Sequence, residues 1–312
     1  MTPTDAGARS RTYRPPWPLD LDRTLAPLAH GRGDPCVRRG PGGWWRASRT
    51  PEGPVTTHLA GSADGTLRLR AWGPGAGWAL AALPELVGAA DRPEDLAPGA
   101  GGHPVVAELA RHHPGLRLPR TEAVLEALVP AVLAQKVTGV AAKRAWAGLV
   151  RRCGEPAPGP AGSAGLRLPP TAERLARTPT WVFHRLGVEA RRAEAIRVAA
   201  ACADALERLV GAAPADARRR LQVLPGIGPW TAAEVTLVAL GDADAVSVGD
   251  FHLPHHVAWT LAGEARADDA RMLELLEPYR PQRGRVVRLI EVGAPRPPRF
   301  GPRLAVGDIT AL

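Results

Sequence analysis

Apolar and basic residues alternate along Thr66-Leu67-Arg68-Leu69-Arg70-Ala71-Trp72, as on a strand with one buried and one wet face. Three further segments of β character, PCVRR, GWWRASRT and VTTHLAG, precede it, set apart by Gly, Pro and Asp. A short helix, LDLDRTLAPLA, leads into them, and another over about 78–87 follows. Beyond residue 100 the pattern turns helical. Helices are expected over 103–113 and from Thr121-Glu122 onward, where Leu125, Leu128, Val129 and Val132 share one face. One long helix is expected through LGVEARRAEAIRVAAACADAL, and two more over 268–292. The chain therefore reads as an α+β N-terminal domain with an antiparallel sheet (14–99) and a mainly α-helical domain (100–292). A basic, Pro-rich tail (293–312) ends it. Residues 1–12 read as frayed, and the Gly/Pro-rich 153–170 as a surface loop unable to support a packed element.

The helical half is organised around Leu221 to Val257, LQVLPGIGPWTAAEVTLVALGDADAVSVGDFHLPHHV. It reads as helix, tight hairpin, helix, loop, and a new helix just after Asp250. Leu224-Pro225-Gly226-Ile227-Gly228 breaks the first helix, and Pro229 suits the first turn of the next. The N–H groups of Gly226, Gly228 and the turn through Thr231 then lack intrahelical partners. With the helix dipole they make a phosphate site that reads no base sequence. A helix–helix turn using glycine for geometry alone has the same pattern. The discriminating feature is Asp250, held downstream in VSVGDFHLPHHV, where it can be a catalytic carboxylate or merely an N-cap.

Together these residues resemble the helix-hairpin-helix DNA glycosylase superfamily, whose motif is LPG(I/V)G followed by a Gly/Pro-rich loop and a catalytic Asp. More narrowly, EALVPAVLAQKVTGVAAKRA, Pro114 to Pro119 and Arg191 to Ile196 resemble the DNA-3-methyladenine glycosylase II subfamily. The likeness runs from about residue 14 to 292. It implies that Asp250 stabilises the positive charge that builds on the sugar as a base departs. It also implies that Gly226, Gly228 and Thr231 grip a phosphate while the Gln135–Lys136 turn enters the minor groove beside a flipped nucleotide. Lys136 stands where the subfamily has an apolar wedge. The matching ligands of a structural Na+ or K+ are the backbone carbonyls of Gln222, Leu224 and Ile227. Bifunctional relatives carry a Schiff-base lysine in the hairpin's second helix; here that residue is Trp230, and the chain's only lysines, Lys136 and Lys143, fall elsewhere. The resemblance thus implies hydrolysis without lyase activity. Glu234 and Glu291 replace two aromatics that stack the base in that subfamily, leaving Trp230 and Phe251 as aromatic candidates for the base pocket.

Composition narrows this reading without deciding it. A net charge of +9 suits a polyanionic partner. Cys36, Cys153 and Cys202 are too few and too dispersed for a disulfide framework, a zinc site or the four-cysteine iron–sulfur loop of some superfamily members. His112 and His113 are adjacent on a helix and diverge, so they make a poor shared ligand pair. No signal peptide or bilayer-long apolar run is visible, so a monomeric, nucleoid-associated cytoplasmic protein is expected. The expected function is a monofunctional base-excision glycosylase acting on damaged bases, alkylated purines first, in double-stranded DNA. Two alternatives stay open: a non-catalytic helix-hairpin-helix DNA-binding protein, or a glycosylase for oxidised or deaminated bases.

Overall fold

A computed structural model describes residues 7–40, 42–96 and 102–298. The first unit is a five-stranded antiparallel sheet in the order β1-β5-β4-β3-β2. Its strands are β1 (Arg9–Tyr13), β2 (Val37–Gly40), β3 (Gly43–Thr50), β4 (Gly53–Gly61) and β5 (Leu67–Trp72). The expected fraying of residues 1–12 does not hold for 9–12: Arg9 to Tyr13 pair with Ala71 to Leu67 of β5 as an edge strand. The short helix α1 (Leu21–Leu25) precedes β2, capped by the Asp20 carboxylate on Arg23 N at 2.9 Å. The helix expected over 78–87 forms as two short ones, α2 (Ala76–Ala81) and α3 (Leu83–Leu86), with Pro84 in the second's first turn.

The alternation seen in the sequence sorts β5 by face. Leu67 and Leu69 enter the larger core beside Leu59, Leu83 and Leu128, whereas Trp72 lies on the other face and stacks on Trp45. That second face is covered by the segment expected to be a bare loop. Residues 155–168 form β6 (Glu155–Pro156), α7 (Pro160–Ser163) and β7 (Arg167–Leu168), and Ala157, Ala161, Leu166 and Leu168 pack with Ala47 and Trp45.

The helical part begins with α4 (Pro104–His112), α5 (Val124–Leu133) and α6 (Gly139–Cys153). After the β6–β7 excursion come α8 (Ala172–Arg177), α9 (Thr180–His184), α10 (Ala190–Ala201) and α11 (Ala203–Glu207). The expected single long helix is thus broken at Cys202, and α11 turns so that the Glu207 carboxylate caps α5 through Val124 N and Leu125 N, both at 2.9 Å. The hairpin follows as α12 (Pro214–Leu221) and α13 (Pro229–Leu240), and the chain closes with α14 (Leu253–Ala262), α15 (Asp269–Leu276) and α16 (Arg283–Gly293).

Two apolar clusters result. The larger joins the sheet to α5, α6, α10 and α13; the smaller joins α4 to α14, α15 and α16 through Val106, Leu109, Val257, Met272 and Ile290. The loop from α13 to α14 passes between them, and Asp250 lies on it. No helix among the described residues is long and apolar enough to cross a membrane. Of the expected tail, 299–312 lie outside the described residues.

Candidate active site

The hairpin needs its first glycine. Gly226 has φ +81°, and a Cβ there would meet the Ala195 Cβ at 3.0 Å. Gly228 is different: its backbone is extended (φ −99°, ψ −177°), and a Cβ would meet nothing within 4 Å. Gln135 crosses from the α5–α6 turn to hold this hairpin, its Nε2 donating to the Gly226 carbonyl (2.9 Å) and to Thr231 Oγ1 (2.8 Å). The Gln135 amide N–H groups are therefore used inside the protein, and Thr231 is buried. Beside Gln135, Lys136 is exposed with φ +52°, a conformation uncommon for a side chain other than glycine. Buried Arg192 braces the same turn from α10 by donating to the Leu133 carbonyl at 2.9 Å.

Asp250 is held from two sides. Its Oδ1 accepts from His252 N (2.8 Å) and Leu253 N (2.9 Å), as a capping carboxylate does. Its Oδ2 accepts from the indole Nε1 of Trp230 at 3.1 Å, which capping alone does not require. Trp230 packs against the larger core as it does so. The loop itself is pinned by Asp269, which accepts from Gly249 N at 3.0 Å. Asp250 thus caps the start of α14, and its half-buried carboxylate is held through both oxygens.

Glu234 follows Trp230 by one helical turn and so lies on the same side of α13. Its carboxyl accepts from the Ser247 hydroxyl. Burial, and then the negative charges of Glu291 and Asp250, push it up to about 7, while the Ser247 hydrogen bond and Arg288 pull the other way. Glu291 is exposed on α16 and pairs with Arg288 one turn away. Phe251 projects into solvent at 74% exposure, its ring edge-on to His252 and His255. The pocket candidates therefore divide: Trp230 and Glu234 line the Asp250 loop, whereas Phe251 and Glu291 stand at its rim. Asp269, Ser247 and Arg192 went unassigned in the sequence, because each acts through a contact whose partner is distant along the chain.

Of the hairpin carbonyls, that of Leu224 accepts from Ile227 N at 3.1 Å. No cluster of three or more His, Cys, Asp or Glu side chains suited to a metal occurs among the described residues. Lys136 sits on the opposing turn, and Lys143 lies against Gly31. A large concavity of about 1100 Å³ lies away from Asp250, on the sheet unit between the 14–22 segment and the strand ends. Its Asp22 is already paired with Arg39 and Trp44.

By architecture the chain shares its fold with solved DNA glycosylases. The 3-methyladenine DNA-glycosylase of Archaeoglobus fulgidus superposes with a TM-score of 0.75 over 90% of this chain and 97% of that one, at 20% identity. An 8-oxoguanine glycosylase/lyase of Clostridium acetobutylicum gives 0.68 over 90% and 95%, at 13% identity. In sequence the chain is similar to the Mycobacterium tuberculosis protein named "Probable bifunctional transcriptional activator/DNA repair enzyme AlkA", 35% identical over 164 residues. That match covers 52% of this chain and 32% of the relative, so the chain spans about a third of the relative's length. No protein-family profile matches.

Proposed function

We propose that this chain is a monofunctional DNA glycosylase of base excision repair, working as a nucleoid-associated monomer on damaged bases flipped from duplex DNA. The observation that carries this reading is the Asp250 carboxylate, fixed by the α14 N-terminus on one oxygen and by Trp230 on the other, beside the hairpin. Breaking an N-glycosidic bond leaves positive charge at the anomeric carbon, and a preorganised carboxylate beneath it stabilises that state and orients the attacking water. The hairpin N–H groups hold the backbone at a phosphate, and Lys136 meets the strand opposite. With Trp230 in the lysine position, water is the nucleophile and no Schiff base forms. The similarity to a DNA repair enzyme and the fold shared with a 3-methyladenine DNA-glycosylase support alkylated purines as the first substrate class. A monovalent cation belongs to the same proposal. The Leu224 carbonyl keeps a second lone pair beyond its bond from Ile227 N and so can still ligate such an ion, whose role would be to rigidify the hairpin.

Duplexes carrying N7-methylguanine, hypoxanthine, uracil or 8-oxoguanine, followed by alkali treatment, test the reading. Base release is expected from at least one duplex and is expected to fall at least about 100-fold in Asp250→Asn. Tight binding without release from any of them would support the non-catalytic alternative instead. Strand cleavage before alkali would overturn the monofunctional assignment.

A further inference from the structure

Two carboxyl groups share the inner wall of the site, and the mechanism above uses only one. Glu234 lies a turn after Trp230 on α13, on the face from which Trp230 reaches Asp250, and its neighbours are few and identifiable. From the Asp250 loop, Ser247 donates its hydroxyl to Oε1. That leaves Oε2 for a proton or for a ligand. From α16, Glu291 and Arg288 face it, and Arg288 is already shared with Glu291. Glu234 therefore feels two further carboxylates, those of Glu291 and Asp250, and the Arg288 guanidinium. Like charges held in a partly dry site cannot all ionise freely, and the innermost group is the one that keeps its proton.

We propose that Glu234 is a proton donor to the departing base, and that it equips the site to release neutral purine lesions as well as cationic ones. This rests on the glycosylase reading. A purine carrying a fixed positive charge leaves as a neutral molecule and needs no acid. A neutral purine leaves as an anion unless a ring nitrogen is protonated as the bond breaks. The electron pair of the bond between C1′ and N9 moves to the base while the Glu234 Oε2 proton moves to a base ring nitrogen. Asp250 stabilises the sugar cation, water adds to C1′, and its released proton returns to the Glu234 carboxylate. Net, one water is consumed and the neutral base departs. Glu234 sits at about 7, so the acid form is present below neutrality and is lost as pH rises through that value.

The test compares Glu234→Gln with the wild-type protein in single-turnover release of hypoxanthine and of N7-methylguanine from otherwise identical duplexes. Gln matches the protonated acid in shape and charge but has no acidic proton. The expected result is a hypoxanthine rate falling about 100-fold or more, against a fall at least about 30-fold smaller for N7-methylguanine. Wild-type hypoxanthine release should decline about tenfold per pH unit above 7, and the variant should show no such limb. Equal losses on both substrates, or an unchanged hypoxanthine rate, would overturn the proposal. So would a wild-type protein that frees N7-methylguanine but never hypoxanthine, and there the glycosylase reading would survive. Release of neither base would overturn the proposal, and the glycosylase reading would then rest on the uracil and 8-oxoguanine duplexes.

Discussion

Trp230 buries its ring edge in the larger core and aims its one polar atom at Asp250. Replacing it with Phe keeps most of the apolar contact and deletes only the donor. A hydrogen bond to a charged group contributes about 1.5–3 kcal/mol, so the excision rate of Trp230→Phe should fall about 10- to 100-fold with little change in Tm. A loss confined to KM would show instead that the indole contacts substrate and does not orient Asp250. The residue was visible in the sequence, because it replaces the lysine of bifunctional relatives. Its partner was not: the bond spans 20 positions across a loop whose path depends on Gly249 at φ +96° and on Asp269. Glu234 was legible in the same partial way. Its oddity was plain, but its environment required knowing that Ser247 and α16 face it.

Hairpin and turn form a unit at the scale of elements, because Gln135 ties the α5–α6 turn to Gly226 and Thr231. The two hairpin glycines look equivalent as letters and differ as backbone. Gly226→Ala should destabilise the protein by about 1–2 kcal/mol through its positive φ and the approach to Ala195, and should weaken binding to any duplex. Gly228→Ala should stay within about 0.5 kcal/mol of wild type. Urea denaturation of both checks this, and equal losses would mean that the hairpin backbone is set otherwise. The elements that escaped sequence reasoning did so for a shared reason: their stability comes from a distant surface. Arg9–Tyr13 is polar and gains order from the exposed edge of β5. The Gly/Pro-rich 155–168 has no periodicity of its own and is ordered by covering Trp45 and Trp72, with Gly159 packed directly on the Trp72 ring. The long helix from Ala190 breaks at Cys202, and α11 then carries Glu207 to the α5 N-terminus, a destination no local signal encodes. The strongly periodic α4 forms within a few residues of its expected ends, and α5 starts within a few residues of Thr121-Glu122.

Across the whole molecule, the site depends on keeping two apolar clusters in register, and one buried ion pair spans them. Asp91, at the exit of the sheet unit, binds the guanidinium of Arg285 on α16 and accepts from Leu118 N at 3.0 Å. Both side chains are about 2% exposed. Burial pushes the Asp91 carboxyl up, against the pull of Arg285, the Leu118 N–H and Arg117. A pair this deep adds little net stability over apolar residues of equal size, since each charge has lost its water. Removing one partner is another matter. Asp91→Ala strands a guanidinium in the interior and should lower stability by about 3–5 kcal/mol, measured by urea denaturation. Combining Asp91→Leu with Arg285→Met removes both charges and should recover most of that loss. α16 also carries Arg288 and Glu291, which face Glu234. If the pair serves mainly to seat α16, the apolar double variant should fold stably and yet show a disturbed pH profile for excision of neutral bases. A wild-type profile in that variant would mean that hydrophobic packing alone sets the register of α16 against α13.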